Sequence, residues 1–101
     1  MKMLFVFNPN SGKAQIKNQL MKIIQVFSKA GYEITVYPTK ASLDGYQHIL
    51  DSEGSYDVIT CSGGDGTLNE TVAAVLKYKG EKPPIGYIPS GTTNDFAASL
   101  G

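Results

Sequence analysis

The chain has 101 residues, with nine lysines, no arginine and nine acidic residues, so its formal net charge is zero. This length fits one compact domain, and an apolar content of 42% suffices for a hydrophobic core. Zero net charge without arginine argues against nucleic-acid binding, which usually needs a basic surplus to neutralise phosphates. The single cysteine, Cys61, excludes an internal disulfide, and no apolar stretch reaches the ~20 residues of a transmembrane segment. We therefore expect a cytoplasmic protein.

Strands and helices are predicted to alternate along the chain. From apolar or alternating patterns, strands are predicted at residues 3–7, 33–37, 57–61 and 85–88. Apolar residues three and four apart predict helices at residues 16–27, 42–50 and 67–77. The second is interrupted by Gly45. The third has an apolar stripe of Leu68, Val72, Val75 and Leu76. A last turn through residues 96–100 is capped by Asn94 or Asp95. This order predicts an α/β fold, a three-layer α/β/α arrangement around a mostly parallel, Rossmann-like sheet.

The polar and glycine-rich segments follow the predicted strands. In a parallel sheet the carboxyl ends of all strands lie at one edge, where open α/β sheets bind ligands. The segments expected at this edge are residues 8–12, Thr39, residues 62–66 and residues 90–95. The sequence therefore predicts one ligand site built from four segments that are far apart in the chain.

The segment Gly63-Gly64-Asp65-Gly66-Thr67 has the clearest chemical signature. Glycines let backbone N–H groups approach a ligand closely, and the N-terminus of the following helix favours phosphate oxygens. The negative charge of Asp65 repels phosphate, so this residue suits a metal–water network or a helix cap better. The alternative interpretation is a tight strand-to-helix turn in which Asp65 is an ordinary cap.

Two common phosphate-binding patterns do not fit this chain. The dinucleotide pattern G-x-G-x-x-G begins at Gly64 but has Asn69 in place of its third glycine. The Walker pattern would need a glycine at Phe7, and Lys13 is followed by Ala14, which cannot ligate magnesium. A plain dinucleotide-binding domain and a P-loop nucleoside triphosphatase are therefore disfavoured.

Three segments together carry a resemblance to a known family. They are Asn8-Pro9-Asn10-Ser11-Gly12, the segment from Gly63 to Glu70, and the segment from Ile88 to Ala97. In this order they resemble the catalytic-domain family of the diacylglycerol kinases, in particular its soluble bacterial lipid kinases. The resemblance implies a fold of the NAD kinase and diacylglycerol kinase type. It also implies an enzyme that transfers the γ-phosphate of ATP to the hydroxyl of diacylglycerol or a similar lipid, with Mg²⁺.

The resemblance implies ATP-binding roles in all of these segments. The residues that would contact ATP are Asn8, Pro9, Asn10, Ser11, Gly12, Thr39, Gly63, Gly64, Asp65, Gly66, Thr67, Leu68, Asn69, Glu70 and Thr92. Asp65 would organise Mg²⁺ through water molecules, and Asp95 is a second candidate for the metal. The resemblance implies no catalytic base in this chain, because the family carries that group in a second, β-rich domain.

Family members are much longer than this chain. The resemblance therefore implies that residues 1–101 are the N-terminal nucleotide-binding part of a lipid kinase, inactive alone, whose lipid substrate is met by peripheral association with a membrane. The lipid stays open among diacylglycerol, phosphatidylglycerol, a sphingoid base and an undecaprenol-like alcohol, and so does the oligomeric state, a homodimer included. Two other functions stay open: an NAD kinase-like enzyme and a non-catalytic, nucleotide-binding regulatory module.

Overall fold

The computed structural model describes residues 1–8 and 15–89, with side chains in these ranges except those of residues 15–19, Asp65 and Pro89. The strands are β1 (Lys2–Phe7), β2 (Glu33–Pro38), β3 (Val58–Gly63) and β4 (Ile85–Pro89). The helices are α1 (Gln15–Lys29), α2 (Asp44–Asp51) and α3 (Asp65–Leu76). The predicted turn through residues 96–100 lies outside the described residues. Among the described helices, none is long and apolar enough to cross a bilayer.

The strands form one parallel sheet in the order β2-β1-β3-β4. The two most apolar runs, β1 and β3, occupy its centre. Phe7 pairs with Pro38 on one side and with Ser62 on the other, so the carboxyl ends of these strands lie level. The chain leaves β1 towards β2 and returns past β1 to β3, and the strand order therefore reverses between β1 and β3. The predicted parallel α/β fold is confirmed.

Two apolar clusters, one on each face of the sheet, make up the core. Alternate residues of β1 point to opposite faces, which explains its continuous apolar run. Phe5 packs with Ile23 of α1, whereas Val6 packs with Ile49 of α2 and Val75 of α3. In the described part of the chain, one helix therefore covers one face and two helices cover the other, which gives the three predicted layers.

The start of α3 differs from its prediction. The helix begins at Asp65, two residues before the predicted start at Thr67, because Gly64 is its N-cap. Gly45 does not interrupt α2, since it lies in the first turn of that helix. A Cβ atom at Gly45 would lie 3.2 Å from Cγ2 of Thr39, and this close contact explains a glycine at a helical position.

The apolar stripe predicted for α3 is partly wrong. Val75 is buried, but Leu76 is 66% exposed and Val72 is 36% exposed. Thr71 and Ala74 are buried in the core instead. The Thr71 hydroxyl donates a hydrogen bond to the Thr67 carbonyl oxygen at 2.9 Å, so this polar side chain can be buried without an unmet hydrogen bond.

Candidate functional site

A cleft of about 350 Å³ lies at the carboxyl edge of the sheet, beside the reversal of strand order. Its lining residues are Asn8, Thr39, Lys40, Ala41, Ser42, Gly66, Thr67 and Glu70. They follow β1, follow β2 or belong to α3. The volume falls within the range of small-molecule pockets, which is about 300–1,000 Å³. The segments after β1, β2 and β3 therefore converge at one edge, as the sequence predicts.

Backbone hydrogen bonds fix the floor of the cleft. The N–H group of Asn8 donates to the carbonyl oxygen of Ser62 at 3.2 Å, which continues the pairing of β1 with β3. The N–H group of Thr39 donates to the Phe7 carbonyl oxygen at 2.9 Å, and the Thr39 hydroxyl reaches the same oxygen at 3.3 Å. Asn8 is thus held by β3 and Thr39 by β1, the two central strands of the sheet.

The start of α3 is folded tightly against the end of β3. Gly63 has a φ angle of 154°, and a Cβ atom there would lie only 2.6 Å from Oγ1 of Thr67. The Tyr87 hydroxyl donates to the Gly63 carbonyl oxygen at 3.0 Å and fixes this turn from β4. Glycine at this position is therefore a steric requirement of the strand-to-helix turn.

In residues 1–8 and 15–89, nothing covers the outer side of the N-terminus of α3. Its N-cap Gly64 makes no side-chain capping hydrogen bond. Among the described residues, a Cβ atom at Gly64 or Gly66 would meet nothing within 4 Å, so no described side chain blocks a ligand from approaching the backbone at these positions. The first N–H groups of a helix lack intrahelical partners and carry partial positive charge, although that of Thr67 already donates to the Gly64 carbonyl oxygen at 3.1 Å. This helix end can therefore accept an anionic group.

The segment between β2 and α2 forms the opposite wall of the cleft and is held by Asp44. The Asp44 carboxylate accepts hydrogen bonds from the Tyr37 hydroxyl at 2.7 Å and from the N–H group of Lys40 at 2.8 Å. These two bonds lower the pKa of Asp44, and the bond from Tyr37 has the larger effect. The same bond raises the pKa of Tyr37. The Tyr37 ring also stacks on the ring of His48 with centroids 3.8 Å apart.

Leu43, just before α2, has an unusual backbone conformation. Its φ angle of 67° is left-handed, which costs about 1–2 kcal/mol for a residue with a Cβ atom. Its side chain is 60% exposed, so apolar burial offsets little of that cost. The N–H group of Leu43 donates to Oε2 of Glu70 at 3.3 Å, and its carbonyl oxygen accepts from the Gln47 N–H group at 3.0 Å. Hydrogen bonds therefore hold this conformation.

The structure brings part of the predicted site together. Asn8, Thr39, Gly66, Thr67 and Glu70 line the cleft, and Gly63 and Gly64 form the turn that leads into it. The Leu68 side chain packs against the core, and Asn69 is exposed. Asp65 is the first residue of α3. Outside the described residues lie Pro9, Asn10, Ser11, Gly12, Thr92 and Asp95.

Sequence reasoning missed several residues of the cleft wall. Lys40, Ala41 and Ser42 line the cleft beside Thr39, and their place after a parallel strand was the available signal. Lys40, which is exposed, and Glu70 give the described lining of the cleft one basic and one acidic residue. Among the described residues, His, Cys, Asp and Glu form no group of three or more that could hold a metal ion.

A sequence profile of the diacylglycerol kinase catalytic domain matches residues 2–101. The chain belongs to this family. It is 38% identical over 97 residues to the diacylglycerol kinase of Bacillus subtilis (strain 168), covering 95% of this chain and 32% of the relative. It is 40% identical over 99 residues to the diacylglycerol kinase of Staphylococcus aureus (strain MRSA252), covering 94% of this chain and 30% of the relative. The family resemblance of the sequence motifs is confirmed.

A solved structure shows the same fold. The crystal structure of a diacylglycerol kinase from Bacillus anthracis strain Sterne matches with a TM-score of 0.79 and 30% sequence identity. The match covers 99% of this chain and 36% of that one. The chain thus spans about a third of the length of the proteins that it matches.

Proposed function

We propose that this chain supplies the nucleotide-binding part of an ATP-dependent lipid kinase. The enzyme would transfer the γ-phosphate of ATP to the hydroxyl of diacylglycerol or a similar lipid. The observation that carries the proposal is the cleft beside the reversal of strand order, into which the open N-terminal turn of α3 contributes Gly66 and Thr67. Family membership and the names of the relatives support the same reaction.

The residues of the cleft suit a triphosphate. Backbone N–H groups at the start of α3 can donate to phosphate oxygens, and the bare backbone at Gly64 and Gly66 allows a short approach. Lys40 adds a positive charge on the opposite wall, and Thr39 adds a hydroxyl on the floor. A chain with zero net charge can therefore still offer a local environment that attracts an anion.

Mg²⁺ fits the proposal as a companion of the nucleotide. When bound, it would neutralise charge on the β- and γ-phosphates. Mg²⁺ is usually held by one or two carboxylates together with substrate phosphates and water, so a three-residue protein cluster is not required. Asp65, at the start of α3, is the residue we propose for water-mediated contact with the ion, and Asp95 is a second candidate.

The role of this chain would be to position the phosphates. Phosphoryl transfer depends mainly on alignment and charge neutralisation, and fixed backbone donors supply both without reorganisation. We assign no catalytic base to this chain. In the proposal a second, β-rich part of the protein supplies the base and the lipid site, so the described part alone is inactive. The reaction would take place where a cytoplasmic enzyme associates peripherally with a membrane.

Phosphate transfer by the full-length protein tests this proposal. With γ-labelled ATP, Mg²⁺ and diacylglycerol in detergent micelles, we expect label on the lipid and none on added NAD. Asp65→Asn should abolish transfer with retained circular dichroism, whereas the control Asp51→Asn, at the far end of α2, should remain active. Label on NAD with untouched lipid would contradict the proposal in favour of an NAD kinase. Nucleotide binding without any transfer would instead indicate a regulatory module.

A further inference from the structure

The Glu70 carboxylate lines the cleft but is bound to protein backbone. Its Oε2 atom accepts the Leu43 N–H group at 3.3 Å. Its Oε1 atom lies 3.6 Å from the position that a Cβ atom at Gly45 would occupy, so the carboxylate faces the first turn of α2. The partial positive charge at a helix N-terminus favours a carboxylate there. Glu70 thus links α3, on one side of the cleft, to the start of α2 on the other.

The segment of residues 39–43 needs such a link. Leu43 is held in a left-handed conformation although its side chain is largely exposed. At the other end of the segment, the Asp44 carboxylate holds the N–H group of Lys40. Without the bond to Glu70, the strain at Leu43 would be opposed mainly by the bond from the Gln47 N–H group, and Ala41 and Ser42 would be held less firmly in the cleft wall.

A direct contact of Glu70 with the nucleotide is electrostatically unfavourable. A carboxylate beside a triphosphate is repelled, whereas the bond to Leu43 directs its charge towards the start of α2. We propose that Glu70 is a positioning residue, which holds the segment 39–43 against α3 and so sets the width of the nucleotide cleft. This role differs from the ATP contact that the family resemblance implies for Glu70, and it rests on the proposed nucleotide-binding function.

Variants of the full-length protein separate the two roles. Glu70→Ala removes the acceptor and should weaken ATP binding about tenfold, with kcat changed less than about twofold. Glu70→Gln keeps an oxygen that can accept the Leu43 N–H group and should stay within about threefold of the wild-type Kd. Leu43→Gly removes the strain, so the double variant with Glu70→Ala should recover much of the lost affinity.

Hydrogen exchange gives a readout that does not require nucleotide. The amides of residues 39–47 should exchange faster in Glu70→Ala and near the wild-type rate in Glu70→Gln. Glu53 provides a matched control outside the cleft lining, because its carboxylate accepts the N–H groups of Lys79 and Gly80 at 2.9 Å each. Glu53→Ala should lower the unfolding temperature and leave ATP affinity unchanged.

Three results would overturn the inference or its basis. If Glu70→Gln binds ATP as poorly as Glu70→Ala while exchange of residues 39–47 is unchanged, Glu70 contacts the nucleotide directly. If Glu70→Ala alters neither ATP binding nor exchange, the bond to Leu43 has no positioning role. If the wild-type protein binds no nucleotide, the proposed function is overturned and this role of Glu70 with it. Faster exchange in Glu70→Ala would then still show that the bond to Leu43 orders residues 39–43.

Discussion

Substitution of Gly63 by alanine tests how tightly α3 is joined to the end of β3. A Cβ atom there would lie 2.6 Å from Oγ1 and 2.9 Å from Cβ of Thr67, at a φ angle of 154° that L residues rarely adopt. Thr67 cannot turn away alone, because its N–H group donates to the Gly64 carbonyl oxygen at 3.1 Å and its carbonyl oxygen accepts the Thr71 hydroxyl. The first turn of the helix would have to shift as a unit.

The expected loss of stability follows from two contributions. Backbone strain at an unfavourable φ angle costs about 1–3 kcal/mol, and an extra methyl group in a packed contact costs about 1–3 kcal/mol. Gly63→Ala should therefore lower the free energy of unfolding by about 2–6 kcal/mol, a large part of the typical total of about 5–15 kcal/mol. Gly66→Ala is the matched control. A Cβ atom at Gly66 meets none of the described residues within 4 Å, so alanine in this helical position should stabilise by about 0.5–1 kcal/mol.

Urea denaturation followed by circular dichroism measures the free energy of unfolding of both variants. We expect it to fall in Gly63→Ala and to rise in Gly66→Ala, so a general effect of alanine cannot explain both results. The double variant Gly63→Ala with Thr67→Ala should recover the part of the loss that is due to Oγ1, and the part due to the φ angle should remain. A Gly63→Ala protein with a free energy of unfolding within about 0.5 kcal/mol of the wild type would refute the close contact between Gly63 and Thr67.

Two further predictions concern buried and charged groups. The Ser62 hydroxyl is the one buried side-chain polar atom without a hydrogen-bond partner in the described part of the chain, so Ser62→Ala should raise the free energy of unfolding by about 1 kcal/mol, and a loss of stability in denaturation would contradict this. Tyr37→Phe removes the main cause of the lowered Asp44 pKa, so that pKa should rise towards 3.8 in an NMR titration. Because a lowered carboxyl pKa contributes stability that is lost as pH falls through it, acid unfolding of Tyr37→Phe should begin at higher pH, and an unchanged Asp44 pKa would show that the bond is not formed in solution.

The fold and the convergence of the site could be predicted from simple patterns. The apolar runs of β1 and β3 predict central strands, because only strands covered on both faces have no polar alternation. Once the sheet is parallel, the segments after its strands must meet at one edge, and Asn8, Thr39 and Gly66 do so. The spacing of apolar residues and the geometry of a parallel sheet suffice for both predictions, because side-chain detail changes neither.

The details of the cleft wall could not be predicted in the same way. Leucine is unfavourable at a positive φ angle, so the sequence gives no local signal for the conformation of Leu43, whose N–H group donates to Glu70 in another helix. The buried face of α3 was also predicted incompletely. Val72 and Leu76 look like core residues by hydrophobicity, but the face of α3 that is buried carries Thr71, Ala74 and Val75.

The level pairing of β1 with β3 has a consequence for the order of events during folding. The N–H group of Lys2 in β1 donates to the carboxylate of Asp57, just before β3, and these residues are 55 positions apart in sequence. Since the cleft borders the carboxyl ends of the same pair, no short stretch of the emerging polypeptide can form it in advance. A bound nucleotide would therefore stabilise only the state in which the whole sheet is formed. Its stabilising effect should extend over the whole of the described part of the chain and slow hydrogen exchange even of amides distant from the cleft.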